Sequence, residues 1–225
     1  MERQKIENKK MNRKWVFFQA FLLTVVVLVI GLYAGISFEE GRFEKVNGYY
    51  LQSEVSLVDI LALNNLVGMS DLSCLELENA NVDLLNRVYE EASLLDQYEE
   101  SGKLTQNLVT FHKKYDILRT YLWINSIKIK EICPDKLHTL VYLYNHDEED
   151  LTKRAEQNVW SKLLLEIKNE NPHAVLISIA RDSNLVSLNS LIEQYNITSF
   201  PAVVVDEKSV FEKITPKEEI VNLIN

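Results

Sequence analysis

The hydrophobic residues fall into three patterns along the chain. Between Trp15 and Phe38 no residue is charged, and this run of 24 residues would form a helix about 36 Å long, enough to cross a hydrocarbon core of about 30 Å. Apolar residues then recur at helical spacing as far as Cys133, and short apolar runs typical of strands follow from Leu137. These patterns predict a basic tail (1–14), a transmembrane helix (15–38), a helical region (39–133) and an α/β domain (134–225).

The charges on either side of the apolar run predict its orientation. Residues 1–14 hold six basic and two acidic residues, whereas Glu39 and Glu40 follow the run. The positive-inside rule therefore predicts a cytoplasmic N-terminus and an extracytoplasmic domain from residue 39. The alternative is a cleaved signal peptide with Gly35 and Ser37 at its cleavage site, but the apolar core of such a peptide is about 7–15 residues long. The length of the run favours an uncleaved signal anchor.

A heptad pattern after Gly102 predicts a long helix, and the same spacing before Gly102 predicts a second one. The downstream seam consists of Leu104, Leu108, Phe111, Tyr115, Leu118, Leu122, Asn125, Ile129 and Ile132, and the upstream seam of Leu85, Val88, Ala92 and Leu95. A turn at Gly102 would fold the two helices into an antiparallel αα-hairpin.

The register of this hairpin predicts a disulfide bond. Facing residues of antiparallel helices have position numbers with a nearly constant sum, which is 207 when Leu85 faces Leu122. Cys74 and Cys133, the only cysteines, also add up to 207, and an oxidising compartment would let them join. We predict that a Cys74–Cys133 disulfide closes the open base of the hairpin. A bend within Asn79–Asn81 is the alternative that would break this register.

The heptad seam has two interpretations. It can pack inside the chain's own helical bundle, or it can form a coiled coil with a second copy in a homodimer, in which Gly31 and Gly35 would let two membrane helices approach closely. Asn125 either fixes the register by hydrogen bonding or faces solvent. Residues 52–66, whose apolar positions include Val55, are expected to form a further packing helix.

The last part of the chain alternates strand-like and helix-like segments. Asp147 is expected to cap the first of these helices, with Asp150 completing a capping box. The order β-α-β-α-β-β-α predicts an α/β fold with two parallel strands followed by an antiparallel hairpin. Strands are expected at 137–145, 174–180, 202–206 and 209–213, and helices at 147–171, at 186–195 and from Pro216 onward.

This order of elements, together with the stretch YNITSFPAVVV at 195–205, resembles the thioredoxin-like fold over residues 137–225. The stretch is similar to the helix-to-strand passage that carries the family's cis-proline, so Phe200–Pro201 is the expected cis bond. The resemblance implies that the backbone at Ser199, Phe200 and Pro201 pairs with an extended peptide. The extra N-terminal strand of full thioredoxins is missing.

The redox motif of that family is also missing. Thioredoxin-like oxidoreductases carry CxxC after the first core strand, at a helix N-terminus that stabilises a thiolate. Here Asn145, His146, Asp147, Glu148, Glu149 and Asp150 occupy that place, without sulfur, and Cys133 precedes the strand. We therefore expect a redox-inactive domain with no catalytic residue.

Composition argues against several other kinds of chemistry. No glycine follows Gly102, so the glycine-rich phosphate loops of nucleotide-binding enzymes are absent from the α/β part. The four scattered histidines and two cysteines do not fit a zinc module, and the acids beside His146 are better explained as exposed capping residues than as metal ligands. The tail carries +4 of the formal −9, which leaves −13 on the remainder, and an acidic domain lacks the basic surface that nucleic acid requires. We expect no cofactor, no metal and no nucleic acid.

Three functions remain open. The leading one is a single-pass, membrane-anchored, redox-inactive thioredoxin-like protein whose extracytoplasmic domain binds a protein or an extended peptide. The second is a thiol–disulfide exchange protein that uses Cys74 and Cys133 outside the usual site. The third is a structural coiled-coil adaptor built from the heptad helices.

Overall fold

The computed structural model of the chain describes residues 13–67, 73–100, 106–133 and 137–224, and it is a mixed α/β structure. The chain divides into two compact units, Met1–Tyr49 and Tyr50–Asn225. The described elements are α1 (Arg13–Val67), α2 (Cys74–Glu100), α3 (Gln106–Ile132), β1 (His138–Tyr144), α4 (Leu151–Glu170), β2 (Ala174–Ala180), a 3₁₀ turn (Arg181–Ser183), α5 (Val186–Gln194), β3 (Ala202–Val205), β4 (Ser209–Phe211) and α6 (Lys217–Val221).

The apolar run forms part of α1, as predicted. Its 23 residues from Trp15 to Ser37 have a mean hydropathy of 2.5, and none of the run is buried. This segment is long and apolar enough to cross a membrane. Gly31 and Gly35 lie in open space, since a Cβ added at either position would meet no atom within 4 Å. The basic tail, apart from Arg13 and Lys14, lies outside the described residues.

Residues 52–66 belong to the same helix α1, and they pack differently from the prediction. Leu57 is partly buried against the main hydrophobic core, and Glu54 forms a salt bridge of 3.3 Å with Lys114 of α3. Val55 and Val58 are 70% and 64% exposed. The segment therefore packs on the core as expected but through the face that carries Leu57, and the expectation that Val55 contributes to this packing is wrong.

The predicted disulfide is confirmed. Cys74 and Cys133 are bonded, with their Cα atoms 5.6 Å apart and a sequence separation of 59. Asn81 donates a buried hydrogen bond of 3.0 Å to Ser126, and these two positions also add up to 207. Helix α2 continues through Asn79–Asn81, so the bend that would have broken the register is not present. The predicted turn at Gly102 lies outside the described residues.

The seam side chains that the structure describes are buried in the chain's own core, except Ile132, which is 51% exposed. Leu118 and Leu122 are fully buried in the same hydrophobic cluster as Leu85 and Val88 of α2. Asn125 is only 3% exposed, so it does not face solvent. Leu104 lies outside the described residues, as do the side chains of Leu108, Phe111, Ala92 and Leu95. The described part of the seam therefore stabilises a single chain.

The predicted β-α-β-α-β-β-α order is present in the second unit, and its strands form a four-stranded sheet in the order β2-β1-β3-β4. Strands β1 and β2 are parallel, with His138 opposite Ala174 and Tyr144 opposite Ala180. Strand β3 runs antiparallel to β1, with Ala202 opposite Leu143, and β4 runs antiparallel to β3. Valine, isoleucine and leucine dominate these strands because both faces of the sheet are covered.

Two hydrophobic layers cover the sheet. Successive strand residues point to opposite faces, so Val141 and Leu143 of β1 pack into the layer that contains α3 and α5, whereas Leu140 and Tyr142 pack against α4 and α6. Trp160 of α4 is 1% exposed in the second layer. The α2–α3 hairpin is therefore joined to the α/β part through one continuous core.

The start of α4 corrects the sequence prediction. The helix begins at Leu151, and its N-cap is Asp150, whose carboxylate accepts hydrogen bonds from the backbone N–H groups of Thr152 and Lys153. Asp147 lies in the preceding turn, where its N–H donates to the carboxylate of Asp182. The prediction that Asp147 is the cap is wrong because a contact 35 positions away in sequence takes its backbone out of the helix.

Candidate functional site

The two ends of the sheet are chemically different. We call the end where β1 and β2 finish and β3 begins the carboxyl end; it carries Asn145–Asp150, Arg181–Leu185 and Thr198–Pro201. The opposite end, where β1 and β2 start and the β3–β4 turn lies, is the amino end. Loops at the carboxyl ends of parallel strands are the usual position of binding sites in open α/β sheets.

The predicted cis bond is confirmed, since the Phe200–Pro201 peptide is cis. Pro201 is buried, Phe200 is half-buried and Ser199 is exposed. Because β3 starts at Ala202, all three residues lie at the carboxyl end, next to the end of β1.

The backbone of this loop is partly occupied by a carboxylate. Glu212, just after β4, accepts hydrogen bonds from the N–H groups of Thr198 at 2.5 Å and Ser199 at 2.8 Å. These N–H donors lower the pKa of Glu212, because they favour its charged form. The N–H of Ser199 is therefore not available to a ligand, and Pro201 has no N–H to offer.

Phe200 is the residue of the loop whose backbone is open. Among the residues that the structure describes, neither its N–H nor its C=O forms a hydrogen bond. Its ring lies under the guanidinium of Arg181, whose Cζ is 4.7 Å from the ring centroid. This distance is within the range of a cation–π contact. Of the three residues predicted to pair with a peptide, Phe200 is the one whose N–H and C=O are both without a partner in the described part of the chain.

The place of a redox motif is filled by a hydrogen-bonded polar loop. The carboxylate of Asp182 accepts from the N–H groups of His146 and Asp147, both at 3.0 Å, and Glu148 accepts from the side chain of Asn145 at 2.7 Å. His146 is exposed and its ring lies 4.4 Å from that of His112. Within the described ranges no group of three or more potential metal ligands is close enough to hold an ion.

A buried acid lies behind the carboxyl end. Asp116 of α3 is 2% exposed and accepts a hydrogen bond of 3.1 Å from the N–H of Ala180, the last residue of β2. Burial raises the pKa of Asp116 to about 6, although Arg119, 3.7 Å away, and the Ala180 N–H act in the opposite direction. Asp116 was not predicted from the sequence, because an acid next to the seam residue Tyr115 resembles an exposed helix position.

The amino end holds a network of paired charges. The ammonium of Lys130 lies 2.5 Å from Asp206 and 2.8 Å from Glu207, and it also donates to the hydroxyl of Thr139. The second oxygen of Asp206 lies 2.6 Å from Nδ1 of His138. Burial alone would raise the pKa of Asp206, but its hydrogen bonds with His138, Lys130 and the Thr139 N–H outweigh burial and lower it.

Backbone geometry brings these acids together. Asp206 and Glu207 both have positive φ angles, 50° and 57°, as the central residues of a tight hairpin turn of the primed type do. Trp123, which is fully buried, donates its indole N–H to Glu207 at 3.2 Å. Both acids of the turn thus have partners from α3 or β1, which suits a role in stability.

The outer edge of β2 is closed to an added strand. The hydroxyl of Tyr89 on α2 donates to the carbonyl of Leu176 at 2.7 Å and accepts from the N–H of Ser178 at 3.3 Å. Further along the same edge, the carboxylate of Asp116 accepts a hydrogen bond from the N–H of Ala180. Covered edges do not template pairing with another chain. A peptide that pairs with this domain must therefore use another part of it.

The two sulfur atoms lie between α2 and α3 and not in the loops of the carboxyl end. Cys133 is 4% exposed and packs with Leu77, Ile129 and Cys74 in a small cluster between α2 and α3. No cysteine of the chain is free.

No family model matches the chain, and no curated protein and no solved structure matches it either.

Proposed function

We propose that the chain is a membrane-anchored, redox-inactive protein whose thioredoxin-like α/β domain binds an extended segment of another protein at Phe200. The thioredoxin-like assignment is supported by the element order, the sheet order β2-β1-β3-β4 and the cis bond immediately before β3. The binding role is supported by the polar loops gathered at the carboxyl end of the sheet.

The single observation that carries the proposal is the open backbone of Phe200. Its N–H and C=O have no hydrogen-bonding partner among the described residues, while Glu212 fixes the two residues before it and β3 fixes the chain after it. A loop held on both sides loses little conformational freedom when a ligand binds, which favours affinity. An extended peptide beside Phe200 would satisfy both groups, as in β-strand addition.

The positions of the sulfur atoms support the proposal that the protein is redox-inactive. The loop from Asn145 to Asp150 contains no cysteine, and both cysteines of the chain form the Cys74–Cys133 bond. Thiol–disulfide exchange needs an accessible sulfur; Cys133 is 4% exposed and Cys74 is partly buried. The exchange alternative predicts that a small dithiol reduces this bond readily in the folded protein, whereas a structural staple resists reduction until the protein unfolds.

The membrane orientation is part of the same proposal. The basic tail favours a cytoplasmic N-terminus, and a disulfide-bonded domain suits an oxidising exterior. A reporter that is active only outside the cytoplasm, fused after Asn225, should be active, and one that fluoresces only inside should be dark. The opposite pair of signals would overturn this orientation.

Peptide binding can be tested with an array of octapeptides of random sequence. The full chain in detergent micelles should bind a subset of the array, and N-methylation of one central amide should abolish binding of the best peptides because the methyl group removes a donor to Phe200 C=O. Methylation of the neighbouring amide, which points to the other side of an extended strand, is the matched control.

Two results would contradict the proposal. If both methylated peptides bind as well as their parents, the main chain of the peptide does not pair with the protein. If Glu212→Gln, which loosens the Phe200 loop, and Lys208→Gln at the amino end lower binding equally, the site is not at the carboxyl end.

A further inference from the structure

One cation at the carboxyl end, Arg181, differs from the acids around it. Asp182, Glu148, Asp150 and Glu212 each accept hydrogen bonds from N–H groups of the chain itself. Arg181, in contrast, is exposed, and no carboxylate among the described residues pairs with it. It is therefore a fixed positive charge whose hydrogen-bond donors remain available.

Phe200 holds this cation beside the open backbone. The guanidinium stacks at 4.7 Å on the ring of Phe200, the same residue whose N–H and C=O have no partner in the described part of the chain. Stacking restricts the arginine side chain, so a ligand would not have to order it. A segment that pairs with the backbone of Phe200 would thus run directly past a preorganised guanidinium.

We infer that the segment bound at Phe200 carries a side-chain carboxylate, from a glutamate or aspartate, that pairs with Arg181. The inference rests on the proposed function and names the chemistry of its partner. The planar guanidinium matches a carboxylate in two parallel hydrogen bonds, which gives specificity that a lysine would not.

The partner is a polypeptide that continues past the site. Phe200 offers both a donor and an acceptor, and a strand that uses both extends on either side of the contact. Two large apolar side chains at the same end are also exposed, Leu151 by 75% and Val186 by 82%, at the starts of α4 and α5. A free small anion would leave these surfaces unused, and a terminal carboxylate would end the strand at the arginine.

The test compares octapeptide arrays with randomised flanks and a fixed central Glu, Gln or Lys, probed with the full chain in micelles. We expect about fivefold stronger retention of Glu than of Gln peptides, since one charge-assisted pair is gained at an exposed site. Arg181→Gln should bring this ratio to about one, and Arg181→Lys should leave it intermediate. Lys208→Gln, an equal loss of charge at the amino end, should leave it at about five.

A charge reversal adds an independent check. Arg181→Glu should retain Lys peptides more strongly than Glu peptides, and circular dichroism shows whether each variant is folded. Since Arg181 is exposed, its replacement should not disturb the fold.

Each contrary result has a distinct meaning. Equal retention of Glu and Gln peptides, or a ratio that survives Arg181→Gln, overturns the inference and leaves the proposed function standing. A preference for Lys peptides points instead to the exposed acids Asp147 and Glu149. Retention that disappears when the peptide C-terminus is amidated points to a terminal carboxylate. Either result overturns the inference. A chain that retains no octapeptide at all removes the proposed function and this inference with it.

Discussion

Charge is arranged in opposite ways at the two ends of the sheet. At the amino end Lys130 lies within 2.8 Å of both Asp206 and Glu207, so opposite charges neutralise one another inside the domain. At the carboxyl end Glu212, Asp182 and Asp150 are held by N–H groups, while Arg181 has no carboxylate partner in the described part of the chain. Paired charges at the amino end thus fix α3 on the sheet, whereas at the carboxyl end Arg181 and the backbone of Phe200 lack partners among the described residues.

If the amino end stabilises the protein, the largest loss of stability should come from removing the Cys74–Cys133 disulfide, which lies just after the end of α3. Replacing Cys74 and Cys133 together by serine should lower the free energy of unfolding by about 4 kcal/mol, since the unfolded chain loses the closure of a long loop. Urea unfolding of the full chain in micelles, followed by tryptophan fluorescence, measures this change.

The same loss should follow reduction of the wild-type bond under denaturing conditions. A double variant within about 1 kcal/mol of the wild type would show that packing of Leu77 and Ile129 holds the helices without the bond. Peptide binding should survive in the folded variant, which separates stability from the carboxyl end.

Removing the cation of the amino end should have the next largest effect. Lys130→Met leaves Asp206 and Glu207 partly buried without their shared partner, at a cost of roughly 3 kcal/mol. Lys162→Met, an exposed change on α4, is the control and should cost less than about 0.5 kcal/mol. Equal effects of the two changes in urea unfolding would mean that the network contributes nothing specific.

The buried acid Asp116 should make stability depend on pH. Its pKa is about 6 in the folded chain and near 3.8 when exposed, so the folded state binds the proton more tightly. Its contribution to stability is present at low pH and is lost as pH rises through about 6, an effect of about 2 kcal/mol between pH 4 and pH 7.

Asp116→Asn isolates this effect, because an amide oxygen can still accept from Ala180 N–H. The variant should gain stability relative to the wild type as pH rises from 4 to 7. This window lies above the range in which Asp206, whose pKa is lowered, loses its own contribution. Unfolding curves that stay parallel over the window would show that Asp116 is not a buried carboxylate.

The smallest expected change in stability belongs to the carboxyl end. Glu212→Gln weakens the hold on the N–H groups of Thr198 and Ser199, at an exposed site, and should cost less than about 1 kcal/mol. Octapeptide binding should fall several-fold, because the Phe200 loop is then less preorganised. If Glu212→Gln lowers the free energy of unfolding by more than about 1 kcal/mol and leaves octapeptide binding unchanged, the carboxyl end serves stability and the contrast with the amino end is wrong.

Features written in short stretches of sequence were predictable. The cis bond followed from a local resemblance around Pro201, and the strand Ala174–Ala180 was predicted with its observed bounds. The disulfide was predictable because facing residues of antiparallel helices have position numbers with a constant sum. Asn81 and Ser126, which are hydrogen-bonded, have the same sum as the two cysteines. In each case local periodicity or register was sufficient.

Features that join distant parts of the chain were missed. Asp150 and Asp147 look equally suited to cap α4, and only the contact of Asp147 with Asp182 decides between them. Likewise, no pattern around Tyr89 announces that its hydroxyl closes the edge of β2, 87 positions away. Such bonds depend on how the layers pack, which a single sequence does not encode in any local spacing.

The apolar span, the two stapled helices and the order of strands could be read from the sequence alone, because hydrophobic period and chain register act over a few neighbouring residues. Packing of the elements settled which backbone groups stay open and which charges are paired. It paired the N–H of Ser199 with Glu212, left the backbone of Phe200 without a partner among the described residues, and placed Arg181 over the Phe200 ring. Hydrogen bonds and charge pairs of this kind are made between elements, and elements meet only when the sheet and its two layers are assembled.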